Sequence, residues 1–553
     1  MINRRKFIRT TSLATAGSLV AISLKGHTSS ETMEGAGVFA WNGPGGDVPS
    51  STDYSITLKQ GWENWKPFVY YTYNRSVDKV VDPEGRYLKH GFLNLHANQY
   101  IDPKLNKDTY AHSWAYFDFS GAPVEVTLKI SKGVEGVDLP LKSCGIFPQH
   151  LGIKCRIIAD DTICFVMDKP AKIAVIPNHL QAVEKIIQSG KAGVHDGYRN
   201  PFFLFAREPE TDMPDKKAPD TLVVKPGDQY GPQDFMKAKT IWFEPGVHDY
   251  SKYNSEDPDH YIDLITGQTL YLAGGSYIYG HVSSKIKTPV SEMPVMKGRG
   301  TMSGERNAWS GIPYVTTEVR NVRLEGIHLT DPNNHISHSN SPFKDIAVVG
   351  AWHGNTDGQT VDGPDGDPFT GWHSDNCFVM AADTNLKFRG SSRIRNYTVW
   401  QLANAEPLWI ANSWDSLLDG LNVICYNKIV AESSKNPGQV INIHIRESGN
   451  FKNIKTMNVH CEAPFVSKLF LVESANKSDT VSYDNIVFEN ITVNTPKILF
   501  KSTVGNKGKD CSPFGEVIFR NLVINGCKIT NENCLEYFAL LEGVSVGKEV
   551  KFD

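Results

Sequence analysis

"FKNIKTMNVHC" (residues 451–461), "YDNIVFENITV" (483–493) and "EVIFRNLVING" (516–526) are the lines of the sequence that decide its fold. Each carries an aliphatic, a residue or two, an Asn or Gly, and then alternating aliphatics. "RIRNYTVWQLA" (393–403) and "LDGLNVICYNK" (418–428) share that loose signature. "TIWFEPGVHDY", "TLYLAGGSYIYG" and "VRLEGIHLTDP" extend the series of short strands back to Thr240. The starts lie roughly twenty to forty residues apart, the spacing of stacked coils rather than of a meander. No run of ten or more amphipathic helical residues separates them, which disfavours a βαβ barrel. A right-handed parallel β-helix over residues 221–553 is therefore expected, since one coil cannot bury its apolar face alone. A propeller would instead show a more regular period near about forty residues with hairpin turns.

The preceding residues have another texture. "FVYYTY", "SWAYFDF", "VEVTLKI", "RIIADDTICFVM" and "KIAVIP" alternate with period two and are broken by Gly, Pro, Asp and Asn. That pattern predicts an antiparallel β-sandwich over residues 35–207. "EPETDMPDKKAPD" (208–220) is charged, proline-bearing and aperiodic, and reads as a linker to the β-helix. The expected class is all-β.

At 553 residues the chain is too long for one compact core. A net charge of −4 argues against a general nucleic-acid binder. No apolar run after the N-terminus approaches the roughly eighteen residues of a membrane span. "NRRKFIRTTSLATAGSLVAISLKG" (3–26) pairs a basic start with a short apolar segment, the mark of an export signal over residues 1–30. Arg4 and Arg5 before Phe7 resemble the twin-arginine type, so a periplasmic or secreted protein is expected. Nine cysteines, an odd count with no CxxC pair, read as buried thiols with room for one or two disulfides. Zinc is not indicated.

Chemistry concentrates in "GAWHGNTDGQTVDGPDGDPFTGWHSDNCFVMAADTNLKF" (350–388), which holds Asp357, Asp362, Asp365, Asp367, Asp375 and Asp383. Asp357, Asp362 and Asp365 each precede a glycine and fit turns. Asp383 lies in a strand-like run, where no turn accounts for it. The spacing to Asp383 is 26 residues from Asp357 (383 minus 357) and 21 from Asp362 (383 minus 362). Either is about one coil, so either acid can face Asp383 from a neighbouring strand about 4.8 Å away. Such a pair falls within the few ångströms to roughly 9 Å used by glycosidic acid/base carboxylates. One member must hold a proton and the other be ionised, and like charges in proximity raise one of the two pKa values. Two Trp-His pairs, Trp352-His353 and Trp372-His373, lie close by. Trp372, Trp400, Trp409 and Trp414, with His373, are candidates to line a sugar-binding groove, because aromatic faces suit the apolar side of a pyranose. The loop from Asp357 to Asp367 lacks the regular ligand spacing of a calcium site, and neither a metal nor a cofactor is expected.

"VVGAWHGNTDG", "CFVMAADTNLKF", "YTVWQLANAEPLWIANSW" and "NVHCEAPFVSKLF" resemble the core of glycoside hydrolase family 49, the dextranase and isopullulanase group. The resemblance implies a β-sandwich before a β-helix and an inverting endo-hydrolase of α-glucans such as dextran or pullulan. It also implies three acids, one in a T-D-G motif and an adjacent Asp-Asp pair one coil later. Residue by residue, the T-D-G acid is Asp357 and the first of the pair is Asp383; the second position holds Thr384, which cannot ionise. Either Asp357 is the base and Asp383 the acid, or Asp362 or Asp375 substitutes. Asp357 is the preferred base because a packed strand leads into it. Lys387 matches a family lysine near the acids. Lys387, Arg389, Arg393 and Arg395 leave open a sulfated or otherwise charged glycan. A polysaccharide lyase and a non-catalytic carbohydrate-binding solenoid also remain compatible with the sequence.

Overall fold

The computed structural model describes residues 37–73, 111–134, 136–189, 198, 200–251, 262–280, 282–284, 292–304, 315–316, 322–332, 336, 341–350, 357–362, 367, 370–381, 383–402, 405–426, 439–445, 450–474, 482–506 and 514–553. The expected export signal lies outside the described residues, as do Trp352, His353 and Asp365. No helix among the described residues is long and apolar enough to cross a membrane.

The signature stretches stack in register. Phe451 pairs with Tyr483, Ile454 with Ile486 and Val459 with Ile491, all in parallel. Ile486 then pairs with Val517 and Ile491 with Leu522. The same parallel pairing runs back through Arg393–Gln401 and Ser374–Ala381 to Thr221–Val224. This is a parallel β-helix, and its aliphatics point inward to one continuous core containing Val379, Leu386, Leu408, Ile441, Ile454 and Ile486.

The Asn of the signature is a bend within the strand, where the cross-coil pairing skips a residue. Asn453 and Asn485, and again Asn458, Asn490 and Asn521, all have φ between 51° and 55°. Their short polar side chains tolerate that left-handed geometry. Each donates to its predecessor: Asn485 Nδ2 to Asn453 Oδ1 at 3.0 Å, Asn490 to Asn458 and Asn521 to Asn490 at 3.1 Å. Gly420, at φ 88°, takes the same place one coil before Asn458.

Before residue 207 two sheets share one core. Ile56, Leu58, Val126, Leu128 and Phe165 come from one; Phe117, Ile173, Val175, Phe202 and Leu204 come from the other. One pairing departs from the expected antiparallel pattern: Phe202–Arg207 runs parallel to Ala111–Phe119, with Phe203 opposite Trp114. This strand and its neighbour Lys172–Pro177 are buried at every position, so they lack the alternation of a half-exposed strand. Their second face is covered by the β-helix. Phe203 lies 5.1 Å from Phe378 and 4.9 Å from Trp400, ring centre to ring centre.

The contact is also ionic. Arg299 Nε donates to Asp118 Oδ2 at 2.6 Å and Arg207 Nε sits 3.1 Å from Asp345 Oδ2, with Lys172 on the same carboxylate. The 208–220 segment is tied down rather than free: Arg299 Nη2 reaches Glu208 O at 2.9 Å, Tyr271 Oη donates to Glu210 Oε2 at 2.9 Å, and Lys297 bonds Asp212 at 2.6 Å. Cys144 and Cys155 form a disulfide, while Cys164, Cys377, Cys461 and Cys534 are buried thiols.

Candidate functional site

Three successive coils build the site. The strand Gln359–Asp362 pairs in parallel with Leu386–Gly390, placing Gln359 opposite Leu386 and Asp362 opposite Arg389. The coil here is 27 residues long (386 minus 359). Just upstream, Gly358 N donates to Thr384 O at 2.8 Å and Gln359 N to Asn385 O at 3.0 Å, so Asp357 lies against the Asp383–Thr384 peptide. The next coil takes 22 residues (408 minus 386): Leu386 meets Leu408 and Lys387 meets Trp409. Asn385 N reaches Glu406 O at 3.1 Å, which sets Glu406 beside Thr384. One coil further, Trp409 pairs with Asn442. Leu386, Leu408 and Ile441 belong to the core, so the alternate residues Lys387, Trp409 and Asn442 face outward.

Asp357 is only 9% exposed. Burial, and then the charge of Asp383, push its carboxyl up to about 7, against the pull of the Lys387 ammonium and a hydrogen bond from the Thr384 backbone; Glu406 adds a further upward push. Asp357 therefore keeps its proton up to near-neutral pH, beside the charge of Asp383. Asp383 is half-buried, accepts from Thr384 N at 2.9 Å, and has its carbonyl held by Gln401 Nε2 at 2.6 Å. Lys387 Nζ lies 4.1 Å from the centre of the Trp409 ring, which fixes the ammonium near the pair. Glu406, buried, accepts from Asn442 Nδ2.

The structure thus brings together Asp357, Asp383, Lys387 and Trp409. It separates the other candidates. Asp362 is in register with Arg389, so its 21-residue spacing to Asp383 is not a coil repeat. Asp375 accepts from Arg395 Nη2 at 2.7 Å, within a cross-coil row that runs Lys344, Asp375, Arg395, Asp419 with alternating charge. Neither is in register with Thr384. Arg395 also lies 4.8 Å over the Trp372 ring, so that indole packs under a guanidinium. His373 is 1% exposed and its Nδ1 accepts from Arg393 N at 3.0 Å, a structural bond inside the coil. Trp400 has no exposure and packs against Phe203, so it cannot stack on a sugar. Trp414 is 42% exposed, in register with Lys452. Of the basic residues, Arg389 and Arg393 are exposed and Arg395 is committed to Asp375. Among the described residues no group of three or more His, Cys, Asp or Glu is placed to hold a metal ion, and Asp367 faces Arg323 at 3.6 Å.

Glu406 is the site residue that sequence reasoning passed over. Its signal was an acid before the Pro407-Leu408 strand start, 22 residues (406 minus 384) beyond Thr384. That number gains meaning only once the coil length is known.

A buried carboxyl that keeps its proton, set against a half-buried second one and beside a fixed ammonium and an aromatic ring, can take part in protonating one oxygen and drawing a proton from another. The class defined by fold and site is a parallel β-helix protein with an acid pair on one outer face. Among solved structures the chain is similar to Dex49A from Penicillium minioluteum, with a TM-score of 0.66 and 17% identity over 95% of this chain and 100% of that one. At that identity the likeness establishes a shared fold. More distant matches are the catalytic domain of a GH87 alpha-1,3-glucanase in complex with nigerose (TM-score 0.33, 12% identity, 77% and 91% covered) and a hyperthermoactive exopolygalacturonase from Thermotoga maritima (0.31, 11%, 65% and 94%). No protein-family model and no curated protein matches the sequence.

Proposed function

We propose that the chain is an exported, inverting, endo-acting glycoside hydrolase whose acid/base pair is Asp383 and Asp357. The carrying observation is the burial of Asp357 beside Asp383, which leaves Asp357 a proton near neutral pH. Burial favours that proton on Asp357, so the productive form is the one in which it has passed to Asp383, which donates it to the leaving oxygen. Asp357, ionised, draws the proton from the attacking water. A base poised near the working pH is the effective one. Lys387 steadies the ionised partner, and Trp409 offers its face to a sugar ring.

The motif resemblance favours an α-glucan such as dextran or pullulan. Arg395 is bonded to Asp375, so its charge is already balanced within the protein, which weighs against a charged glycan. The Cys144–Cys155 disulfide supports an oxidising compartment and so the export reading. We also take the two-sheet lobe as a β-sandwich and the coils as right-handed, the hand that strand–crossover–strand connections adopt.

A reducing-end assay on a panel of neutral and sulfated polysaccharides tests the reading. New reducing ends without ultraviolet absorbance mean hydrolysis. An absorbing, unsaturated product means a lyase, and no product means a binding protein. Azide then tests the roles: Asp357→Ala should yield a glycosyl azide of inverted configuration, whereas rescue at Asp362→Ala alone would give the base to Asp362.

A further inference from the structure

We infer that Glu406 supplies the third carboxylate of the site, in the place that Thr384 leaves without one. This rests on the hydrolase reading above and adds a residue to it. The observations are geometric. Asn385 N donates to Glu406 O, and Leu386 N to Pro407 O at 3.0 Å, so Glu406 stands one coil above Thr384, about 4.8 Å along the stack. Thr384 itself lies against Asp357 through the Gly358–Thr384 bond. The Glu406 carboxyl faces outward, because its partner Asn442 belongs to the outward column with Lys387 and Trp409. In this structure the carboxyl reaches up the stack to Asn442; a glutamate is one methylene longer than an aspartate, and a change of rotamer turns it back across part of a coil rise toward Thr384. Its charge is felt at Asp357.

The step it assists is balanced simply. Water is the nucleophile; its oxygen bonds the anomeric carbon as the glycosidic C–O bond breaks. Its proton passes to Asp357 and the proton of Asp383 goes to the leaving oxygen. Glu406 accepts the second O–H of that water and orients it, holding the nucleophile from the side where Thr384 is too short and uncharged.

The test is a set of three variants assayed on the polysaccharide the wild type cleaves best. Glu406→Gln should lower kcat by roughly 10²-fold, the loss expected of a group that positions a reacting proton. It should also move the alkaline limb of the pH profile downward, because removing a neighbouring negative charge makes Asp357 easier to ionise. Adding Thr384→Asp to Glu406→Gln should restore at least tenfold of the lost kcat by returning a carboxylate to the empty place. Glu406→Asp keeps the charge and should keep the limb, and it stands in if Glu406→Gln does not fold. Glu406→Gln with kcat within threefold of wild type, or a double variant no better than the single one, overturns the inference while leaving the hydrolase reading intact. If Glu406→Gln does not fold, a displaced limb in Glu406→Asp overturns it instead. A wild type silent on every polysaccharide removes the hydrolase reading and this inference with it.

Discussion

Two outer faces of the same β-helix carry opposite chemistry on equivalent positions. On one, the outward residues are Tyr277, Tyr279, Ala347, Val349, Phe378, Met380 and Trp400, packed under the N-terminal lobe. On the other they are Thr360, Lys387, Trp409 and Asn442, beside Asp357, Asp383 and Glu406. The inward residues are indistinguishable: Val348, Val379 and Val399 behind the first face, Val361, Leu386 and Leu408 behind the second. The coil therefore supplies a neutral frame, and function is written wholly in the residues that point away from it. A tryptophan on the first face is core and on the second is a candidate sugar platform, although both obey the same period.

The largest expected effect tests the second face. Asp383→Asn should cut turnover by roughly 10² to 10⁴-fold, the usual worth of a positioned general acid. Its thermal midpoint should stay near that of the wild type, because Asp383 is half-buried and contributes no core packing. Near-normal turnover, or a variant that only unfolds, would make Asp383 structural and erase the contrast.

The converse should hold across the molecule. Trp400→Ala removes a wholly buried ring from the lobe contact, and should cost about 3–5 kcal/mol of stability, as large-to-small core changes of this size do. Denaturant melts report the loss, while kcat per folded molecule remains close to wild type. A variant of full stability with a raised KM would instead return Trp400 to the groove.

That pair of outcomes also marks how far the sequence could be read. The β-helix was legible because the signature Asn recurs wherever a strand must turn through the left-handed region, at Asn453 and Asn485 and at Asn458, Asn490 and Asn521. The acid pair was legible because Asp357 and Asp383 sit near one coil apart. What failed was anything requiring the coil length itself. Successive coils at the site take 27, 22 and 33 residues (386 minus 359, 408 minus 386, 441 minus 408), since loops of different length join strands of constant register. Asp362 looked as well spaced as Asp357, and Glu406 could not be aligned with Thr384. Trp400 failed for another reason: an outward aromatic has the same period whether a protein lobe or a sugar covers it. The parallel pairing of Phe202–Arg207 was hidden likewise, because a strand covered on both faces shows no alternation.

A smaller effect separates stability from activity on the acidic face. The Asp357 carboxyl is raised from 3.8 to about 7 in the folded chain. A raised carboxyl favours folding in its protonated form, so the wild type loses stability as pH climbs from about 4 through about 7. Asp357→Asn is neutral throughout and escapes that loss. Above pH 7 it should be more stable than wild type by roughly 1–3 kcal/mol, since each tenfold change in proton affinity is worth about 1.4 kcal/mol. Near pH 4 the difference should vanish, and activity should be lost at every pH. Midpoints measured from pH 4 to 8 check this. Equal stability at pH 8 would mean that Asp357 is not desolvated.

The smallest effect concerns Lys387, and it tests whether the ammonium belongs to the acid pair or only to Trp409. The ring holds Nζ at 4.1 Å from its centre, so the charge has a fixed position rather than a solvated average. From there it lowers the proton affinity of Asp357, opposing burial and Asp383. Lys387→Met keeps much of the aliphatic stem and removes only the charge. Asp357 should then hold its proton to higher pH, and because the working form of the pair carries one proton, the alkaline limb of kcat/KM should move upward. Asp357→Asn cannot serve as control, since it is expected to be inactive; Trp409→Leu can. That variant leaves the ammonium in place but lets it wander, so the limb should move the same way by less. A limb that stays fixed in Lys387→Met while KM rises would assign the lysine to sugar binding, and the group titrating on that limb would not be the Asp357–Asp383 pair.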